Sequence, residues 1–161
     1  MASADNPNLA RALGRIPSGL FIASTLDADG APLGFLASFV QQVGFDPPTV
    51  CVAVGTDRDH LQAIRASGRF AVSVLDEDSK GAMKRFFGKL PEGEGPFDGL
   101  ATSTPQDGPP VLDEALAWVT CEVSGEHSVD DHVIVFGRVT AGDQGHEGEP
   151  LVHTRKNGLS Y

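Results

Sequence analysis

The chain has 161 residues, 40% of them hydrophobic, with 19 Gly, 11 Pro and a formal net charge of −10. That length suits one domain with a real core, and the Gly and Pro content fits a turn-rich β protein better than a helical bundle. The negative charge excludes nucleic acid, which is held by clustered Lys and Arg, and equally an anionic membrane surface. The opening MASADNPNLARALG has no signal-peptide core, and no stretch approaches the ~18 apolar residues of a spanning helix, so a cytoplasmic protein is expected.

In chain order, a short helix is predicted around 7–13. GLFIASTLDADG (19–30) reads as a first long strand ending in Asp29-Gly30, a hairpin signal. APLGFLASFVQQVGF is then its antiparallel partner, giving way to a loop at the glutamines, Gln41 to Phe45, and PTVCVAVG (48–55) a buried third strand. TDRDHLQAIRASG predicts a helix of about three turns, capped by Asp57 or Thr56 and stopped by Gly68. RFAVSVLDED is a fourth strand, and SKGAMKRFFGKL a second helix with Met83, Phe86 and Phe87 on its apolar side. Residues 91–110 are Gly/Pro-rich and predict a long surface loop. ALAWVTCEVSGEH and DHVIVFGRVTAG form a second hairpin through SVDD, and PLVHTRKNGLSY brings a short strand and a polar tail. Strands in two groups, with helices confined to the middle connections, predict a mainly β protein built as a six-stranded antiparallel barrel.

Hydrolytic and metal motifs are missing: there is no GxSxG, HExxH or P-loop. The five His (60, 127, 132, 146, 153) are scattered rather than set at metal spacing, and Cys51 and Cys121 sit in apolar strands as packing residues. Two features draw attention instead. KGAMKRFFGK (80–89) carries four basic residues and no acid, whereas 91–114 carries six acids and no base. The island is either a solvated face paired with that acidic loop or a phosphate receiver. GTDRDH (55–60), with Arg58 and His60 at a helix N-terminus, is either a plain capping box or a second anion receiver. The strand end 34–45 mixes apolar side chains with Ser38, the glutamines and Gly44. That mixture suits a planar flavin ring with one apolar face and a polar edge.

The order of these segments resembles the flavin reductase-like family of FMN-binding split barrels. It is most similar to the flavin reductase module of flavodiiron-type diflavin proteins. The matching stretches are ALGRIPSGLFIAS, GFLASFVQQVGFDPPTVCVAVGTDRDHL, SGRFAVSVLDE, MKRFFGKLPEGEGPFDGL, CEV before DHVIVFGRV, and HTRKNGLSY. The resemblance implies a single-domain Greek-key split barrel over 1–161 and a homodimer with FMN near the interface. It also implies hydride transfer from NAD(P)H through FMN to free flavin, a ferric complex or a protein acceptor. It assigns FMN contacts to Phe35, Leu36, Ala37 and Ser38, to Gln42, Val43 and Gly44, and to Thr56, Arg58, Asp59 and His60. Lys84 is the phosphate residue, with Arg85 and Lys89 behind it. Phe87 and Tyr161 complete the cofactor set, the tail from Arg155 to Tyr161 closes over the site, and His132 stands near flavin or nicotinamide as the catalytic candidate. Free-standing reductases often carry a Thr and a Ser pair where this sequence has GFLASF, so Phe35 and Ala37 remove two hydroxyls; the diflavin-type modules share that apolar version. Two other readings of such a barrel are a flavoredoxin-like electron carrier without a nicotinamide site and a binder of another ligand such as heme or F420.

Overall fold

A computed structural model describes residues 6–160. The main sheet has seven strands, all paired antiparallel: β1 Phe21–Leu26, β2 Pro32–Ala37, β3 Val40–Phe45, β4 Pro48–Gly55, β5 Arg69–Val74, β6 Ala117–Val129 and β7 His132–Gln144, in the spatial order β2-β1-β5-β6-β7-β4-β3. The two edge strands, β2 and β3, are consecutive in the chain. The backbone crosses from one edge to the other through Ser38 and Phe39, and the Phe39 carbonyl accepts from the Ala53 N–H of β4 at 2.9 Å. The sheet therefore closes at that corner, as a split barrel with Greek-key connections.

This corner corrects the sequence reading in two places. Gln41 to Phe45 are not a loop after a strand that runs on to the glutamines; the break lies at Ser38-Phe39, and Val40 to Phe45 form a strand paired with β4 across a bulge at Val43. Dividing that stretch gives seven strands where six were expected.

Strand alternation sorts side chains to two cores. Phe35, Ala23, Val72 and Val119 share one row across β2, β1, β5 and β6 and fill the barrel with Val52, Val54, Phe70, Val133 and Val135. The neighbouring row carries Leu36 and Ile22 to the outer face, where Leu75, Ala82, Phe97, Leu112 and Ala115 form a second core. Covered on both sides, β1 and β5 are buried nearly throughout. Their outward serines still need partners: Ser24 Oγ donates to the Pro110 carbonyl at 2.5 Å, and Ser73 Oγ accepts from the Leu112 N–H at 3.0 Å. So the stretch 91–110 is not simply a surface loop. It buries Phe97, folds a 3-10 turn at Pro105–Asp107 and pairs Thr102–Ser103 with Val111–Leu112.

α1 (Pro7–Gly14) is capped by the Asn6 carboxamide, which accepts from Asn8 and Leu9 N–H. α2 (Asp59–Ser67) plugs the barrel with Leu61 and Ile64 and stops at left-handed Gly68. Its start differs from expectation: Arg58 is the N-cap and makes no side-chain cap bond, while Thr56 is drawn away to the Asp131 carbonyl. The segment KGAMKRF is a 3-10 helix, Lys80–Phe86, with Phe87 just beyond it and exposed. No helix among the described residues is long and apolar enough to cross a membrane. Burial raises both thiols, Cys121 to about 12, which fits packing rather than chemistry.

Two residues report on this packing. A Cβ at Gly137 would stand 2.5 Å from the Phe70 ring and 2.6 Å from Cys121 Cβ, and Phe70 is wholly buried. Gly137→Ala should cost about 1–3 kcal/mol in urea unfolding, whereas Gly125→Ala, in open space on the same hairpin, should leave stability unchanged or slightly higher. His60, at the first turn of α2, packs tilted against Phe35 with ring centroids 4.9 Å apart and donates from Nε2 to the Gly34 carbonyl at 3.1 Å. Burial, aided by nearby Arg58, holds its imidazole below the ordinary value despite that bond. The folded protein thus binds fewer protons than the unfolded chain below ~6.5, so this contribution is present above that pH and lost as pH falls toward the depressed value. The urea midpoint should fall between about pH 7 and pH 5, and His60→Gln, which keeps a donor but cannot titrate, should flatten that slope; equal slopes would refute a neutral buried His60.

Candidate functional site

A cleft of about 680 Å³ opens where β2 ends, within the ~300–1,000 Å³ usual for small-molecule and cofactor sites. One wall is Leu20 with Leu36, Ala37 and Ser38; a second is Met83 and Phe87 from the 3-10 helix and its exit; the third is the tail from His153 to Ser160. The apolar side chains come from the second core, which continues into the cleft: Leu20, Leu36 and Met83 all pack against it. The polar groups come from Ser38 and the tail, including Thr154, Asn157 and Ser160, and the tail also brings the cations Arg155 and Lys156.

That tail is fixed by backbone contacts. Val152–His153 pairs with Ser18–Gly19, the Arg155 N–H donates to the Gly14 carbonyl at 2.9 Å, and the Gly158 N–H donates to the Ala10 carbonyl at 2.8 Å. Arg15 Nη2 adds a bond to the Arg155 carbonyl at 3.1 Å. The approach requires glycine: a Cβ at Gly14 would lie 2.3 Å from the Arg155 carbonyl oxygen, and one at Gly158 would lie 2.3 Å from Leu13 Cβ. The Arg155 guanidinium lies 4.9 Å above the Phe39 ring, a cation–π contact that seats the tail on the barrel corner.

Of the residues named from sequence, Leu36, Ala37, Ser38 and Phe87 meet in this cleft. Phe35 does not line it, because alternation turns its ring into the barrel against His60. Gln42, Val43 and Gly44 lie on the exposed edge strand β3, where Gln42 Nε2 donates to the Gly44 carbonyl. Thr56, Arg58 and Asp59 stand exposed at the start of α2, and Lys84 stands exposed on the 3-10 helix; none lines the cleft. Within the basic island, Lys80 pairs with Glu77, and Arg85 pairs with Glu94 at 2.8 Å and the Gly95 carbonyl at 2.8 Å. Arg85 therefore serves the acidic loop, whereas Lys80 is held by a carboxylate that precedes the island. His132 opens β7 with its ring edge on Phe39, centroids 5.9 Å apart, and its Nδ1 2.9 Å from Asp131 Oδ1, which holds the Asp131 carboxyl below its usual range. Phe39 thus connects His132 to Arg155 without His132 lining the cleft. Tyr161 lies outside the described residues.

Leu20 and Met83 are not among the site residues expected from sequence, whereas Lys156 lies in the tail, Arg155 to Tyr161, that the resemblance closes over the site. For Lys156 a signal existed: Arg155-Lys156 is a pair of adjacent cations in a strongly acidic chain. Leu20 and Met83 read as ordinary core positions, and only the packing of two distant segments places them at the cleft.

The flavin reductase like domain model matches residues 13–158. Diflavin flavoprotein A 1 of Synechocystis is 39% identical over 158 residues, covering 96% of this chain but 27% of that protein, so the chain spans about a quarter of that relative's length. Among solved structures, nitrilotriacetate monooxygenase component B of Mycobacterium thermoresistibile superposes with a TM-score of 0.85 at 30% identity, covering 97% of this chain and 86% of that one. The NADH:FAD oxidoreductase of Streptomyces globisporus gives 0.80 at 27% identity, covering 89% and 86%, and that protein has also been solved with NAD and FAD fragments. The cleft between the end of β2 and the cationic tail thus lies in a chain that belongs to the flavin reductase-like domain family.

Proposed function

We propose that the protein is an FMN-dependent NAD(P)H oxidoreductase that passes electrons to free flavin, a ferric complex or a protein acceptor. The observation that carries this reading is the composition of the cleft: apolar walls from Leu20, Leu36, Met83 and Phe87, with hydroxyl, amide and cationic groups on the tail. Those residues fit an aromatic ring system bearing an anionic side chain. Leu36, Met83 and Phe87 would hold the ring, Ser38 would meet its polar edge, and Arg155 and Lys156 would receive the phosphate. When bound, flavin would supply the two-electron redox chemistry between reduced nicotinamide and the acceptor.

The chain's own part is positioning and charge. Phe87, 60% exposed, offers an open apolar face beside the ring for a second planar ligand. The tail cations favour a ligand that gains negative charge on reduction. His132, tied to Asp131 through Nδ1, stands behind Phe39 and acts on the site through that ring rather than by touching the cofactor.

Homodimer formation and a cytoplasmic setting belong to the same proposal. Along β7, β4 and β3 the outward row Ile134–Ala53 and Phe136–Cys51–Gln41 is half-buried at most, with Val43 51% and Phe45 90% exposed beside it. Such an apolar face suits a second copy of the chain.

Absorption spectra of the protein supplied with FMN, before and after anaerobic NADH or NADPH, test the activity. Bleaching by either nucleotide is expected; bands that persist until dithionite is added would favour an electron carrier, and failure to retain FMN would remove the reading. The phosphate assignment has its own test: Lys156→Ala should weaken FMN binding about tenfold, the worth of a charge-assisted contact, and Lys84→Ala much less. The reverse order in a fluorescence titration would return the phosphate to Lys84.

A further inference from the structure

Outside the cleft, one cluster among the described residues is left unused by the proposed activity. Asp76 follows β5 and its side chain is only 6% exposed. Oδ1 of that carboxylate accepts from the Ser79 N–H at 2.9 Å and the Ser79 hydroxyl at 2.7 Å. Oδ2 faces His146 Nε2 at 2.6 Å. Asp78 is exposed and its carboxylate makes no hydrogen bond among the described residues, yet it lies with the other two so that the three ligand atoms fall within 4.8 Å of one another. Ser79 is no nucleophile here, since it is fully buried and its proton is already given to Asp76.

We propose that Asp76, Asp78 and His146 bind a divalent first-row transition cation of the zinc type. One imidazole nitrogen with two carboxylate oxygens is a mixed donor set that suits Zn2+ and disfavours Mg2+ and Ca2+, which take oxygen alone. Ser79 is the outer support: by occupying Oδ1 twice it aims Oδ2 at the metal position, the way ligating carboxylates are commonly held. A cation ~2.0–2.2 Å from each donor in a tetrahedral shell wants them roughly 3.3–3.6 Å apart. The Asp76–His146 contact, now 2.6 Å, therefore opens by somewhat under ~1 Å, and exposed Asp78 swings inward. In the neutral ring the proton now on Nε2 moves to Nδ1, which frees the Nε2 lone pair for the metal. Gly148 leaves the room, since a Cβ there would already be 3.3 Å from Asp76 Oδ2.

The position gives the metal a structural task. Asp76 adjoins Leu75, whose N–H donates to the Leu20 carbonyl and whose carbonyl accepts from the Leu151 N–H. Leu20 lines the cleft and Leu151 leads directly into the tail. A cation joining Asp76 to His146 braces the root of that tail against the sheet.

The test is calorimetric titration of Zn2+ into untagged, chelator-stripped protein, with Co2+ absorption as a second readout; neither needs flavin. One site per chain is expected, weakened about tenfold or more in both Asp78→Asn and His146→Gln. Asp78 is exposed and separates the two explanations, because a simple Asp76–His146 ion pair gives it no role. Absence of uptake, or wild-type affinity in either variant, overturns the site; should His146→Gln fail to fold, Asp78→Asn decides alone.

Discussion

Two buried hydroxyls set much of this structure. Ser24 and Ser73 point outward from β1 and β5, into a layer from which water is excluded. An unpaired buried hydroxyl costs about 1–3 kcal/mol, so the chain must bring a carbonyl to one and an N–H to the other. Pro110 and Leu112 do this, and they fasten the 91–116 region flat on the sheet. Once it lies there, Phe97, Leu112 and Ala115 have a surface to bury, Phe86 meets Phe97 edge-on at 5.3 Å, and the 3-10 helix gains a platform. The cleft is the open end of this outer layer.

Glycine sets how closely the layers approach. At Gly34 a Cβ would stand 2.7 Å from the Phe97 ring and 2.8 Å from Phe86. The strand that ends in Leu36–Ser38 thus sits directly under the aromatic pair. On the far side the same residue's carbonyl accepts from His60. One backbone position therefore couples the barrel's plug, through α2, to the second core and the cleft wall.

Element order was legible from sequence because the signals were local. Asp29-Gly30, Gly68 and the SVDD turn mark their boundaries by backbone preference alone, and both long strands around SVDD follow. The corner at Ser38-Phe39 was not legible, since no turn residue marks it; what ends β2 is a change of partner from β1 to β4, which is a tertiary event. The cleft was half legible. Leu36, Ala37 and Ser38 follow from the resemblance, as does Phe35, which period-two alternation places with Ala37 on the barrel face; Ala37, the last residue of the strand, still reaches the cleft. The N-cap was misread: Thr56 has the right chemistry, but the hairpin turn at Asp131 competes for its hydroxyl and wins. His146 and Asp76 are far apart in the chain, and no spacing rule could have joined them.

The bulged strand β3 has a bearing on solubility. A sheet ordinarily exposes two separate edges, each a template for adding a foreign strand. In this barrel both edges belong to one stretch, Pro32 to Phe45, bounded by prolines at 32 and 47. The register shift at Val43 interrupts the ladder on the more open of the two. A single covering body placed over that stretch would shield both edges at once, so the hazard of edge-to-edge aggregation is confined to one short run of sequence.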